Sequence, residues 1–539
     1  MAGLWTLIRL ILRRDRVKLP LWIGGFVLSL LTMIPLLRDI YGSEESLRTL
    51  YATFGANPAG LFMTGPVDAP TFGALITFET LLWWGVAIAF LNTLLIVRHT
   101  RHNEEIGAQE LLLSGRLHRA SSLVAALVVA LGVNVLIVLG LGFGMSAISA
   151  SWSSGQSWLF AVAMGTTGFA WAAISAVVVQ LVESGRSANG ILAGLIGTSF
   201  VVRGIGDFLG KVDAASIHQP HWASNLTPFG WLQATRPLTK SDWWPLLVSA
   251  VFALCVIALG FVLLAQRDVG TGLLPSRQGK RRASRFLSTP LGLTLYLQKN
   301  IFIGWLVAVL AMVGTIGLLV PQMTEVFDNA DGMRRIIQSI GGTGALVPVF
   351  LSAMIAIVCL MIFAYAIHGL SKLRNEEASG RLESLLATRL SRLRWMGLHA
   401  SVVFVGGVVM LAVTGLMLSV LTNALSELSV DVWEYTLAGL SYTPILVVFI
   451  ALYLLLFGLL PRAVGGVTWL YFSFVAFTFW LGPIIELSQP IMNFSVMEHI
   501  ATPPVEAIKA TPLLVLSAFS SIAIVVGAIA WRHRNLQTG

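Results

Sequence analysis

The stretch RHNEEIGAQELLLSGRLHR at Arg101–Arg119 lies between two long apolar runs, and RNEEASGRLESLLATRLSR at Arg374–Arg392 lies between two more. Aligned without a gap, nine of the nineteen positions are identical: Arg101/Arg374, Glu104/Glu377, Gly107/Gly380, Glu110/Glu383, Leu112/Leu385, Leu113/Leu386, Arg116/Arg389, Leu117/Leu390 and Arg119/Arg392. Ordinary composition gives roughly one or two matches in such a window. Leucines coincide easily in apolar chains. A register-matched set of Arg, Glu, Gly, Glu, Arg and Arg does not. The sequence reads as a duplicated membrane domain with this segment as its working part.

Composition sets the class. The 539 residues are 56% hydrophobic and 11% charged, where a soluble protein carries about 25% charged residues. Repeated apolar runs of about 20 residues are long enough to cross a bilayer. The expected fold is an all-α polytopic membrane protein, because backbone in hydrocarbon must satisfy its own hydrogen bonds. Twelve spans are expected at 19–38, 80–98, 120–145, 158–182, 190–208, 244–265, 301–320, 346–370, 396–421, 436–460, 464–485 and 511–531. The two cysteines, Cys255 and Cys359, lie inside spans and offer no disulfide framework. The N-terminal run shows no small-residue cleavage pattern after it, so it reads as a permanent span. Residues 2–16 mix apolar and basic side chains and suit a short interfacial helix.

Charge distribution orients the spans. With the N-terminus inside, cytoplasmic segments hold 26 of the 35 Lys and Arg but only nine of the 26 acidic residues. The opposite orientation violates the positive-inside bias almost three to one, so both termini are expected in the cytoplasm. The same concentration of charge in loops argues against nucleic acid as a partner. Residues 266–290 form a basic linker with Gly, Ser and Pro. It divides the chain into a first half, 1–265, and a second half, 291–539, of six spans each. An even number per half makes the repeats parallel. A weaker echo pairs LRTLYATFG at 47–55 with MRRIIQSIG at 333–341 in the first outer loop of each half.

The polar repeat follows the second span of each half. Arg101 and Glu104 share a helical face, and Gly107 and Gly380 are expected to divide each segment into two short pieces. A short helix with a leucine pair and exposed carboxylates suits a groove on a soluble partner. Two copies imply a partner with two equivalent grooves.

The pattern R-x-x-E-x-x-G-x-x-E-x-L-L-x-x-R resembles the cytoplasmic segment after the second span of ABC-2 type transporter permeases. The double-length layout, with NLTPFGWLQATRP at 225–237 and SRQGKRRAS at 276–284, resembles the fused permeases grouped as exporters of polyketide antibiotics. The resemblance implies that the segment is a coupling helix seated on an ATPase subunit. Arg101, Glu104, Gly107 and Glu110 would then serve one ATPase protomer, and Arg374, Glu377, Gly380 and Glu383 the other. It also implies interfacial elbow helices at the N-terminus and at residues 286–300, and a location in a prokaryotic plasma membrane. Many members have proline where this chain has Gly115 and Thr388. The chain has no G-x-x-x-x-G-K-[ST] loop, so it binds no cofactor itself; ATP and Mg belong to the partner.

Ionisable residues near span ends are the remaining candidates. Glu79, Arg203 and Asp207 are candidates for an outer gate or polar lining, with Arg203 and Asp207 four apart on one face. Their bland reading is anchoring or an internal ion pair. His368 and Glu486 also lie near span ends, and Trp5, Trp22, Trp158, Trp243, Trp244, Trp433 and Trp531 read as an aromatic belt. Three functions compete. The first is an ATP-driven exporter of apolar or amphipathic compounds such as antibiotics. The second is a proton-coupled secondary transporter with six plus six spans, which needs a mid-membrane carboxylate that the spans lack. The third is an enzyme of lipid-linked substrates, which needs an acid, base or metal cluster on one face.

Overall fold

The computed structural model describes residues 3–54, 58–113, 117–148, 151–212, 218–274, 284–329, 346–426, 428–482, 487–500 and 510–537. These residues are almost entirely helical. Apart from turns and connecting loops, the described residues contain one strand pairing, β1 (Lys211–Val212) antiparallel to β2 (His218–Gln219). The chain divides into two compact units, Met1–Gly279 and Lys280–Gly539.

The first unit opens with α1 (Leu4–Arg14), which buries Leu7, Ile8 and Ile11 and exposes Trp5, Leu10 and Leu12. Its helices of spanning length are α2 (Lys18–Tyr41), α5 (Phe72–His99), α8 (Ser121–Ile148), α9 (Ser154–Leu181), α10 (Gly185–Phe208) and α12 (Trp244–Gln266). Shorter helices fill the connections: α3 (Glu44–Phe54), α4 (Pro58–Met63), α6 (Arg101–Glu105), α7 (Ala108–Leu113) and α11 (Pro228–Ala234). Starts follow ordinary capping chemistry. Thr71 caps α5, Ser153 and Gln156 form a capping box at α9, and Ser184 caps α10. Asp15, directly after α1, is buried and binds Arg98 at 2.9 Å and His99 at 2.6 Å, which ties the N-terminal helix to the end of α5.

Helix α9 is the centre of this unit and packs on α5, α8 and α12. Where α5, α8 and α9 meet, Asn92 and Asn134 exchange two amide hydrogen bonds of 3.2 and 2.7 Å, fully buried. A Cβ on Gly168 of α9 would overlap this pair, so glycine is what lets the third helix close over it.

The second unit contains α13 (Pro290–Asn329), α14 (Leu346–Ala378), α15 (Arg381–Leu386), α16 (Arg392–Leu425), α17 (Val432–Leu440), α18 (Thr443–Leu459), α19 (Val464–Leu481), α20 (Gln489–Met492) and α21 (Ala510–His533). Eleven helical stretches across the chain are long and apolar enough to span a membrane among the described residues. The expected span at 464–485 is instead the shorter α19, 18 residues long. At 1.5 Å per residue that is about 27 Å, a little under the hydrocarbon thickness. The elbow helix implied at 286–300 is not a separate element: Pro290–Asn329 is one helix running into the span. Trp531 is also corrected. It is fully buried, 4.8 Å from the Phe457 ring and 6.0 Å from Trp395, and so belongs to the core rather than to an aromatic belt. Residues 333–341 and Glu486 lie outside the described residues.

Replacing Asn92 by leucine leaves the buried Asn134 amide without its partner. We expect a loss of about 1 kcal/mol in detergent unfolding. The double Asn92→Leu/Asn134→Leu variant is expected to recover most of that loss, because two apolar partners leave nothing unsatisfied.

Candidate functional site

The polar repeats adopt the same turn in both units. Gly107 has φ 73° and Gly380 has φ 74°, a left-handed conformation that costs other residues roughly 1–2 kcal/mol. Each glycine N–H donates to the carbonyl three residues earlier, Gly107 to Glu104 and Gly380 to Glu377, both at 3.0 Å. No heavy atom lies within 4 Å of a Cβ built on either glycine. The requirement is therefore conformational and not a matter of space. After each turn a six-residue helix begins, α7 or α15.

Glu104 and Glu377 are not exposed carboxylates. The Glu104 side chain is 4% exposed and accepts a forked pair from Arg267, Nη2 at 2.6 Å and Nη1 at 2.8 Å. Arg101, wholly buried, donates to the same carboxylate at Oε2, the oxygen that also accepts from Arg267 Nη1. Glu377 is enclosed in the same way. Arg534 grips it at 2.5 and 2.8 Å, the Gln537 N–H donates at 3.0 Å, and Arg374 lies at 3.5 Å. Arg267 directly follows α12 and Arg534 directly follows α21. In both units an Arg–Glu–Arg clasp thus fastens the segment after the second expected span to the end of the last one.

Two further details repeat. Seven residues before each clasping arginine stands a glycine, Gly260 or Gly527. A Cβ on Gly260 would come 3.2 Å from the Ala176 carbonyl of α9, and one on Gly527 would come 2.6 Å from the Leu454 carbonyl of α18. Glycine brings the last helix against the helix of the fourth expected span, and two turns later the arginine reaches its glutamate. The tail is anchored beyond that. Arg267 also binds Gln180 at 2.7 Å, and Leu273 and Leu274 donate to the Gln180 and Leu181 carbonyls. Arg392, the repeat counterpart of Arg119, donates to the Arg534 carbonyl at 2.6 Å.

Each segment leaves charged groups on its surface, Glu105 and Glu110 in the first and Arg381, Glu383 and Arg389 in the second. In the first unit Ile106, Glu110 and Leu111 are exposed. In the second, Glu383 and Arg389 are exposed while Leu382 is buried. Arg116 and the side chains of Leu112 and Leu113 lie outside the described residues. The supports differ between the units. Glu105 accepts the Gly185 N–H at 3.1 Å, at the first residue of α10, and Arg14 binds Asn103 at 2.7 Å. In the second unit Arg381 forks onto Glu376 at 2.8 and 3.0 Å across the Gly380 turn. That hydrogen bond raises the Arg381 pKa above its ordinary value.

The outer candidates fall into two groups. Arg203 and Asp207 pair at 3.0 Å, both buried. The Arg203 guanidinium also donates to the Phe62 and Met63 carbonyls at 2.6 and 3.2 Å, and Ser224 donates to Asp207 at 2.6 Å. The pair therefore binds α10 to two connecting segments, 58–71 and 218–237, which places it in an internal brace. The stretch 225–237 belongs to the same brace. Thr227 caps α11, a Cβ on Gly230 would overlap the Ser224 carbonyl, Gln233 donates to Thr64 at 2.9 Å, and Arg236 lies 3.4 Å from Asp68. Glu79 is half-buried on α5 and lies elsewhere. His368 accepts from Trp305 at 3.1 Å.

Neutralising a clasped glutamate strands a buried guanidinium. We expect Glu104→Gln or Arg267→Gln to destabilise the first unit by about 3–5 kcal/mol, with Glu104→Gln/Arg267→Gln less damaging than the sum. Hydrogen exchange of the amides at 101–113 is the direct readout. At Gly107 and Gly380, alanine and valine are expected to be worse than asparagine, which tolerates a left-handed backbone.

Two comparisons with known proteins bear on this geometry. A family model described as "Multidrug efflux system permease Rv1217c, C-terminal domain" matches residues 4–264 and 287–532. The multidrug efflux system permease protein Rv1217c of Mycobacterium tuberculosis (strain ATCC 25618 / H37Rv) is 30% identical over 540 residues, spanning 99% of this chain and 96% of that protein. With that match over nearly its whole length, and with spanning helices throughout, the chain belongs to the family of the multidrug efflux system permease Rv1217c.

Proposed function

We propose that this chain is the membrane permease subunit of an ATP-driven exporter of apolar or amphipathic compounds, drugs and antibiotics among them. The observation that carries the proposal is the twofold recurrence of one device: a glycine-kinked polar segment whose buried glutamate is clasped by an arginine from the end of a distant helix. A loop that only joined two spans has no need of this reinforcement in both halves. A segment that receives force from a partner does.

The partner in this reading is a separate ABC ATPase subunit, in two copies, which binds ATP and Mg. It sits on the cytoplasmic side, with both chain termini, in a prokaryotic plasma membrane. Glu110 and Glu383 are the contact residues, with Ile106 and Leu111 beside the first. Arg101, Glu104, Arg374 and Glu377 stand behind them and set the segment's position, and Gly107 and Gly380 set its angle. ATP-driven approach of the two partner subunits presses on both segments, and the clasps carry the displacement to the last helix of each half. Arg203 and Asp207 keep the outer layer in register, and Glu79, half-buried on α5 and outside that brace, is a carboxylate that can line a path. The proton-coupled alternative gains nothing from the structure, since the buried polar crossing at Asn92 and Asn134 is neutral and cannot relay a proton.

Reversing the charge of the two exposed glutamates that the repeats share, Glu110 and Glu383, tests the coupling. The Glu110→Lys/Glu383→Lys variant should insert and melt like the wild type. It should also lose at least tenfold of its cargo-stimulated ATP hydrolysis when reconstituted with its ATPase partner. Transport that persists undiminished in this variant, or that runs without any nucleotide-hydrolysing partner, overturns the assignment.

A further inference from the structure

A cavity of about 440 Å³ opens in the second unit between α13, α14 and α16. Its size is within the range of small-molecule sites. Helix α13 contributes Leu295, Gln298, Lys299 and Phe302 along one face, and α16 contributes Val405 and Gly406. The cavity lies at the end of the bundle where α13 and α16 begin, the same end as the Glu377 clasp.

The cavity is apolar, with one buried and incompletely satisfied polar side chain, Gln298, in its lining. Gln298 is 1% exposed. Its Nε2 donates to the Gly369 carbonyl at 2.9 Å and faces His399 Nδ1 at 3.2 Å, which fixes the amide's orientation. Its Oε1 is buried with no hydrogen-bond partner. An orphaned buried acceptor costs about 1–3 kcal/mol, and a ligand donor is what removes that cost. Beside it stands Tyr365, whose hydroxyl occupies the space that a Cβ on Gly406 would take. The walls are otherwise chiefly leucine, valine and phenylalanine, with Ser401 and Gly406 on α16. The one charged group of the lining is Lys299, exposed at the rim with its ammonium 4.3 Å from the Tyr296 ring centroid.

We infer that this cavity binds an uncharged or anionic amphiphile that bears an N–H or O–H donor. The donor meets Gln298 Oε1, the apolar body lies between α13 and α16, and any anionic group faces Lys299. Cationic amphiphiles are disfavoured by the same lysine. The site names a cargo class for the permease and to that extent rests on the efflux reading. Binding itself needs neither ATP nor a partner.

The test uses the purified full-length chain in detergent and two fluorescent probes. Anilinonaphthalene sulfonate carries an N–H donor and an anionic group; phenylnaphthylamine carries the donor alone. Both are expected to bind saturably. Gln298→Leu should weaken both by about tenfold, the usual scale for losing one buried hydrogen bond. Lys299→Glu should weaken the sulfonate about tenfold and leave the neutral probe unchanged. Val405 is 58% exposed at the rim, so Val405→Trp plugs the cavity without disturbing the Gln298 bonds and should abolish both. It also keeps the test decisive if Gln298→Leu fails to fold. Equal binding in wild type and Val405→Trp overturns the site. So does recovery of an acyl chain only, undisplaced by either probe. Loss of binding with drug export intact counts against the cavity alone, whereas retained binding with no export counts against the efflux reading alone.

Discussion

A carboxylate enclosed between two guanidiniums is the constraint from which the rest of each half follows. Glu104 and Glu377 have left water, and a buried charge is tolerable only when paired and hydrogen-bonded. Each therefore requires an arginine from its own segment and another from the far end of its unit. That requirement fixes where the last helix ends and which way its tail turns. It also fixes how closely the helix must run along its neighbour, which is why Gly260 and Gly527 stand two turns upstream. Turn, clasp and close helix contact form one mechanical unit, present in both halves.

Much of this was legible in the sequence, and the illegible part has a physical cause. The segment itself could be read, because register-matched charges do not arise by composition. The break at Gly107 and Gly380 could be read, because glycine at the same place in both copies invites a turn. The clasping arginines were missed. The polar repeat has an offset of 273 residues between halves, but Arg267 and Arg534 differ by 267 because loop lengths changed between them. A search at one offset cannot connect them, although GFVLLAQR at 260–267 and GAIAWRHR at 527–534 carry the same Gly-x6-Arg spacing. The glutamates were misread as exposed for a related reason. Local sequence shows a charge in a polar loop, and only the distant arginine buries it.

The outer layer teaches the converse. Spacing alone predicted that Arg203 and Asp207 pair, and they do. Their purpose depended on chain segments about 140 residues away in sequence that no pattern announced. The stretch 225–237, met first as a point of family likeness, turns out to be rich in folding requirements: a capping threonine, a proline at the first helical turn, a glycine pressed against a carbonyl and a bracing glutamine. Resemblance there reports how the outer layer is built. The Asn92–Asn134 pair escaped notice because the spans were searched for charge, and a reciprocal pair of amides is neutral.

Magnitudes decide whether a clasp can serve as a lever on the coupling reading. Moving a two-state permease from 1:99 to 99:1 takes about 5.5 kcal/mol of bias, or about 2.8 kcal/mol for each segment if the two share it. Removing one partner from a buried ion pair costs about 3–5 kcal/mol. The stroke is thus smaller than the cost of tearing a segment from its last helix, so segment and helix move together. The supports around the clasps are unequal. The first segment is also held by Arg14 at Asn103 and by Glu105 at the start of α10, whereas the second is stiffened internally by Arg381 on Glu376. Equal pushes on the two segments therefore reach different helices: in the first unit the displacement is shared between α1, α10 and α12, and in the second it passes chiefly to α21.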